Sequence, residues 1–155
     1  TPYLVDELLE EFEAGLVRRH QQQKVNIEDD DTLALVQIDS KLILQVLFNL
    51  VDNALKHAES RSKIILRVNE QRSQILFEMI DDGRGIPDEE RDLIFNPYYS
   101  GDYFKDNKKY SLGLGLYLVQ LILKQHGSQL KYRPNHPQGS IFYFYLDITQ
   151  IEMEG

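Results

Sequence analysis

The sequence predicts a two-layer α/β sandwich, a mixed sheet with its helices on one face. Three observations lead there. Strand-like runs are separated by helix-like runs along a chain of 155 residues, the size of one domain. Leu4, Leu8, Leu9, Phe12 and Leu16 recur at helical spacing near the start. Near the end, Phe142, Phe144 and Leu146 alternate with Tyr143, Tyr145 and Asp147, the period of a strand.

In chain order, the first pattern predicts an amphipathic helix over about 3–22. The block Glu28-Asp29-Asp30-Asp31 breaks the period and reads as a solvated loop between short strands at 24–28 and 34–38. Asp39 or Ser40 can cap a long helix reaching about residue 58. Strands at 63–68 and 74–81 flank the polar turn 69–73. Pro87 suits the first turn of a short helix over 88–94. Residues 100–111 are polar, without period, and read as a long loop. A helix over about 114–125 ends at Gly127, a candidate left-handed cap. Strands near 129–133 and 140–147 close the chain. No internal repeat is visible.

Composition excludes several classes. Hydrophobic residues at 42% and charged residues at 27% are ordinary for a globular domain, and a chain of this size buries roughly two-thirds of its unfolded surface. There is no cysteine, hence no disulfide framework or thiolate metal site. A net charge of −8 argues against a nucleic-acid partner, which needs a basic face. No apolar run approaches the ~18 residues of a membrane span, and no signal peptide is visible. Direct membrane contact is therefore not expected. The chain opens Thr1-Pro2, which reads as a piece of something longer. The expected location is the cytoplasm, either free or as the cytoplasmic part of a membrane-bound sensor.

Four segments carry chemistry. In Asn49-Leu50-Val51-Asp52-Asn53-Ala54-Leu55-Lys56, the residues Gln45, Asn49, Asn53 and Lys56 fall on one side of a helix that is apolar elsewhere. Amide oxygens are hard ligands suited to Mg²⁺, and a lysine one turn on can meet a terminal phosphate. The alternative is a solvent-facing stripe. In Asp81-Asp82-Gly83-Arg84-Gly85-Ile86-Pro87, Asp81 continues the inward face of Ile75, Phe77 and Met79. A carboxylate there needs a donor. The exocyclic amine of adenine is one, and the two glycines allow a flat base close to the backbone. The alternative is an ordinary glycine turn at a strand edge. Phe95-Asn96-Pro97-Tyr98-Tyr99 follows. In Gly113-Leu114-Gly115-Leu116, the glycines precede a helix whose free N–H groups can take phosphate oxygens, although a lone Gly-x-Gly is weak evidence. Lys105, Lys108 and Lys109 in the preceding loop either clamp phosphates or form a solvated flap. His20, His57, His126 and His136 show no metal-ligand spacing. His20 and His136 read as surface residues and His126 as a helix-end residue, and only His57 lies near the candidate pocket.

Together these segments resemble the catalytic ATP-binding domain of sensor histidine kinases, within the superfamily of gyrase, mismatch-repair and heat-shock chaperone ATPases. The resemblance spans about 3–147 and includes the family's N box, two glycine boxes and F box in order. The closing pattern His126-Gly127 and Gly139-Ser140-Ile141-Phe142 matches as well. It implies a single Bergerat-type sandwich over 1–155, with a lead-in helix at 1–22 and an ATP lid at 100–112. It implies Mg–ATP as the bound nucleotide, with Asn53 holding Mg²⁺ helped by Asn49, and Asp81 holding the adenine amine. Lys56 and His57 would contact the nucleotide, His57 at a position more often filled by tyrosine. Gly83, Gly85 and Ile86 would line the base, and Gly113, Leu114, Gly115 and Leu116 would admit the phosphates.

Departures from the family pattern are Ser111 for a glycine, Arg84 for a proline or small residue, and Tyr98 and Tyr99 for phenylalanines. No histidine is followed by an acidic residue, as the family's phosphoacceptor motif requires. The resemblance therefore implies transfer of the γ-phosphoryl group to a histidine on a separate helical hairpin of the parent, for relay to a response regulator. Rival readings are a serine kinase acting on a regulator protein, an ATP-hydrolysing switch, and a degenerate nucleotide-binding domain. Hydrolysing relatives carry glutamate where this chain has Asn49, because water needs a general base.

Overall fold

The computed structural model describes residues 1–57, 63–97 and 115–150. In chain order the elements are β1 (Pro2–Leu4), α1 (Val5–Arg18), β2 (Val25–Asp29), β3 (Leu35–Gln37), α2 (Ser40–His57), β4 (Ile64–Gln71) and β5 (Gln74–Asp81). A 3-10 turn (Asp88–Glu90), α3 (Gly115–Gln125), β6 (Lys131–Pro134) and β7 (Ser140–Asp147) complete them. Five strands form one sheet in the order β2-β4-β5-β7-β6. It is mixed: β2 and β4 run parallel, and every other neighbour is antiparallel.

Strand alternation decides which side is core. Ile64, Leu66 and Val68 of β4, Ile75, Phe77 and Met79 of β5, and Phe142, Phe144 and Leu146 of β7 join one apolar cluster with α1, α2 and α3. Phe77 and Phe144 stack at its centre, ring centroids 4.9 Å apart. The opposite face holds Glu78, ion-paired with Arg133, whose guanidinium lies 4.8 Å from the Tyr143 ring centre. The helices thus cover one face, as the alternating pattern predicts. Gly15 makes the α1–α2 approach possible: a Cβ there would come within 2.3 Å of the Phe48 ring.

Caps set the helix ends. Asp39 Oδ1 accepts the Leu42 N–H at 3.2 Å, starting α2 where the sequence placed it. Gly127, at φ 69°, closes α3, and the Ser128 N–H reaches the Leu123 carbonyl at 2.8 Å.

Three elements differ from the sequence expectation. The first helix covers Val5–Arg18 instead of 3–22. Its first predicted residues instead form β1, antiparallel to β3, because Leu4 is extended at φ −69° and ψ 132°. Its far end stops at His20, left-handed at φ 56°, with the Gln21 N–H bonded to the Leu16 carbonyl at 2.8 Å. The turn expected at 69–73 shrinks to Arg72 and Ser73, since Asn69 and Glu70 still pair across to β5. Asp30 and Thr32 secure that extension by binding the Glu70 N–H and carboxylate. The short helix expected over 88–94 is a single 3-10 turn followed by further turns.

Among the described residues no helix is long and apolar enough to cross a membrane. Tyr98, Tyr99, the loop 100–112 with Ser111, and Gly113 and Leu114 lie outside the described residues.

Candidate functional site

The polar stripe of α2 forms as its spacing requires. Val46, Leu47, Leu50, Val51 and Ala54 are buried, which turns Gln45, Asn49, Asn53 and Lys56 toward the other side. Asn49 and Asn53 are half-buried, while Gln45 and Lys56 are exposed. The two amides therefore sit at the rim of the core, where a hydrated ion can reach them. Among the described residues no group of three or more His, Asp or Glu side chains could hold a metal. A Mg²⁺ ion at this stripe would depend on amide oxygens, water and ligand oxygens, a set it accepts.

Asp81 ends β5 on the helix-facing side and is only 5% exposed. Its Oδ1 accepts the Gly83 N–H at 2.9 Å. Burial pushes its carboxyl up from 3.8 to about 6, opposed by the backbone N–H groups of Gly83 and Ser140 and reinforced by the Asp82 charge. Ser140 is its cross-strand partner on β7, 1% exposed, and no described residue hydrogen-bonds its hydroxyl. A carboxylate and a hydroxyl thus end adjacent strands side by side, at positions where the pattern calls for apolar residues. An amine-bearing flat base fits that donor and acceptor set.

The turn after Asp81 is clasped from the C-terminal part of the chain. Asn135 donates to the Asp81 carbonyl at 2.9 Å and Gln138 to the Asp82 carbonyl at 3.0 Å. Gly139, at φ 113°, lies so close that a Cβ would stand 2.1 Å from the Asp81 carbonyl oxygen. Gly85, at φ 74°, packs against Gly139 in turn. Buried Ile86 donates its N–H to the Tyr132 hydroxyl, and its carbonyl accepts from Arg91 Nε, each at 3.3 Å. Sequence reasoning missed Asn135, Gln138, Tyr132, Arg91 and Ser140. Ser140 alone left a signal, since it extends the inward series Phe142, Phe144, Leu146 just as Asp81 extends its own.

The end of α2 and the turn meet where Arg84 contacts His57 Nδ1 at 3.2 Å. His57 is buried at the end of α2, beside Lys56. At the start of α3, Leu116 is buried and Gly115 exposed, and a Cβ on Gly115 would touch nothing described. No packing demand among described residues explains that glycine. Ile94 is buried and Phe95 packs partly against the core, so the third segment is anchored there. His126 joins helix ends, its Nε2 accepting the Asp39 N–H and its Nδ1 facing the Ile122 carbonyl. A groove of about 910 Å³ between the chain start, the start of α2 and His126 shares no residue with stripe or turn.

A mixed five-stranded sheet with helices on one face, amides along one helix and a buried carboxylate at a glycine turn fits the class of ATPase-type domains. The chain belongs to the family of histidine kinase-, DNA gyrase B-, and HSP90-like ATPases, whose model matches residues 38–150. It is 30% identical over 142 residues to the sensor protein KdpD of Clostridium acetobutylicum, covering 91% of this chain and 16% of that protein. The catalytic domain of the histidine kinase ThkA, solved without nucleotide, superposes with a TM-score of 0.79 at 25% identity, covering 95% of this chain and 94% of that one. ThkA has also been solved in complex with the response regulator TrrA; that structure aligns with a TM-score of 0.76 at 24% identity, over 96% of this chain and 42% of the other. The chain spans only a fraction of its curated relatives, from 16% of the KdpD protein to 38% of an adaptive-response kinase SasA.

Proposed function

We propose that this chain is the catalytic ATP-binding domain of a sensor histidine kinase. It binds Mg–ATP and donates the γ-phosphoryl group to a histidine on a helical-hairpin domain of its parent, for relay to a response regulator. The observation that carries the reading is the buried pair Asp81 and Ser140, paired across the end of the sheet beside the turn of Gly83 and Gly85. The solved pairing of ThkA with a response regulator supports the partner.

Asp81 accepts the adenine amine, and Gly83, Gly85 and Ile86 present backbone to the base. Asn53 and Asn49 would hold Mg²⁺, which when bound offsets the charge of the phosphates. Lys56 and His57 meet the nucleotide at the end of α2, and residues 113–116 receive phosphate oxygens at the start of α3. Transfer forms a bond from an imidazole nitrogen to the γ-phosphorus and breaks its bond to the bridging oxygen, releasing ADP. Positioning and charge stabilisation supply most of the acceleration. A neutral imidazole already offers its lone pair, so no base is needed at Asn49. Water does need one, and an amide cannot take its proton.

The test is incubation with γ-labelled ATP, with and without the parent's hairpin as a separate polypeptide. The chain alone is expected to bind ATP without labelling itself. The hairpin should acquire an acid-labile, base-stable label in proportion to its concentration. Rapid phosphate release by the chain alone supports an ATP-hydrolysing switch, and acid-stable label on a partner's serine supports a regulator kinase.

A further inference from the structure

We infer that Gln138 is a positioning residue for the base-selecting carboxylate: through the peptide joining Asp82 to Gly83 it aims the Asp81 side chain, while Asn135 holds the peptide before. The inference rests on the nucleotide reading above and deepens it, since it concerns how this chain sets its preference for an amine-bearing base.

Two peptide groups separate Asp81 from the N–H that its carboxylate binds. In the first, joining Asp81 to Asp82, the carbonyl accepts from Asn135 Nδ2 at 2.9 Å. In the second, joining Asp82 to Gly83, the carbonyl accepts from Gln138 Nε2 at 3.0 Å. The N–H of that same second peptide donates to Asp81 Oδ1 at 2.9 Å. The peptide is trans, hence rigid and planar, with its carbonyl and N–H pointing opposite ways. Gln138, by fixing the oxygen on one side, therefore fixes the direction of the N–H toward the carboxylate on the other.

The stretch that reaches across is itself braced. Asn135 gives its own N–H to the Gly139 carbonyl at 3.1 Å, and its Oδ1 accepts the His136 N–H at 2.9 Å. Strand pairing flanks it, with Pro134 opposite Ser140 and Ser140 opposite Asp81. Gln138 is exposed, whereas Gly83 and Asp81 are buried. Core packing thus does not account for Gln138, and its amide donates to a peptide whose far end meets the buried carboxylate. An aspartate can bind the N–H two residues on without help. Anchoring the carbonyl restricts that N–H, and with it the carboxylate, to one direction.

Two measurements on the unmodified chain, Gln138→Ala and Gln138→Lys test this. Calorimetry at fixed Mg²⁺ compares ATP with purine riboside 5′-triphosphate, which lacks only the C6 amine. Gln138→Ala should reduce the preference for ATP about three- to fivefold, the effect of one weakened hydrogen bond, and change affinity for the analogue less than about twofold. Gln138→Lys should restore most of the preference, because it returns a donor and its charge acts equally on both triphosphates. NMR then follows the Asp81 carboxyl in the ligand-free chain. Burial raises its midpoint to about 6 against the N–H groups of Gly83 and Ser140, and the Asp82 charge is common to the unmodified chain and Gln138→Ala. With the Gly83 N–H no longer aimed, the midpoint should rise further in Gln138→Ala. Equal losses for ATP and the analogue, no loss for either, or an Asp81 titration that stays in place makes Gln138 a support of the turn alone and overturns the inference. The titration needs no nucleotide, so its failure strikes the positioning role by itself. An unmodified chain that binds ATP no better than the analogue strikes the base reading instead.

Discussion

Asp81 sits in a turn clasped by Asn135, Gln138 and Gly139 from one stretch of chain and braced through Ile86 by Tyr132 and Arg91. Asn49, Asn53 and Lys56 project from a single helix whose own period spaces them, with side chains half-buried or open. The first region is built before any ligand arrives, and burial charges it with an electrostatic cost that an amine donor relieves. The second carries amide oxygens and a lysine along one side of a helix, the groups that the proposed function assigns to a metal and phosphates. Under the proposed function, base selection would belong to the turn and metal handling to the helix, and the two should respond differently to mutation, pH and magnesium.

The largest effect is expected from the clasp. Gly139→Ala adds a Cβ 2.1 Å from a backbone oxygen at a φ of 113°, so it should cost about 3 kcal/mol or more of stability. Urea unfolding followed by circular dichroism reads this directly. By contrast, Gly115→Ala meets nothing described and should leave the unfolding midpoint nearly unchanged.

Next comes the carboxyl itself. Folded Asp81 keeps its proton to about pH 6, whereas the unfolded chain releases it near 3.8. Stability from this group is thus fully present below 3.8 and is lost as pH rises through about 6, a difference of about 3 kcal/mol. Asp81→Asn removes the penalty and should stabilise the fold above pH 6, with the gain vanishing near pH 4. Denaturation midpoints of both proteins across pH 4 to 8 check the sign. The same carboxyl should make ATP binding weaken below pH 6 by up to about tenfold per unit, since the bound amine favours the ionised form. Titrations at pH 5 and 7.5 separate this from a flat profile.

A smaller change is expected at the stripe's edge. Gln45 is exposed one turn before Asn49, so Gln45→Ala should alter Mg–ATP affinity less than about twofold, against about tenfold for Asn53→Ala. Equal losses in competition binding would spread metal handling along the whole helix face.

The contrast also explains what was legible in the sequence. The stripe was readable because i, i+4 and i+3 spacing is local, as were Asp39 and Gly127 as caps. Asp81 was readable because it breaks an apolar alternation on its own strand. Its clasp was not: Asn135 and Gln138 act on backbone carbonyls more than fifty residues earlier, and nothing in their neighbourhood marks them. Ser140 carried the same signal as Asp81, but its meaning depends on the β5–β7 register that pairs the two. β1 was hidden because Leu4 fits the helical series that follows it, while its extended backbone is fixed by β3 thirty residues on. Arg84 and His57 each stood out in sequence, and only the fold puts one against the other.

The most direct test crosses two variants with the metal. ATP affinity is measured for the parent chain, Asp81→Asn and Asn53→Ala, each with Mg²⁺ and with a chelator, and GTP is measured alongside. Asp81→Asn should lose a similar factor with or without magnesium, about tenfold or more, together with most of the preference for ATP over GTP. Asn53→Ala should lose affinity only when magnesium is present and keep the preference for ATP. Losses that follow magnesium equally in both variants, or a parent chain that binds GTP as well as ATP, would contradict the division of the site into a base-selecting turn and a metal-holding helix.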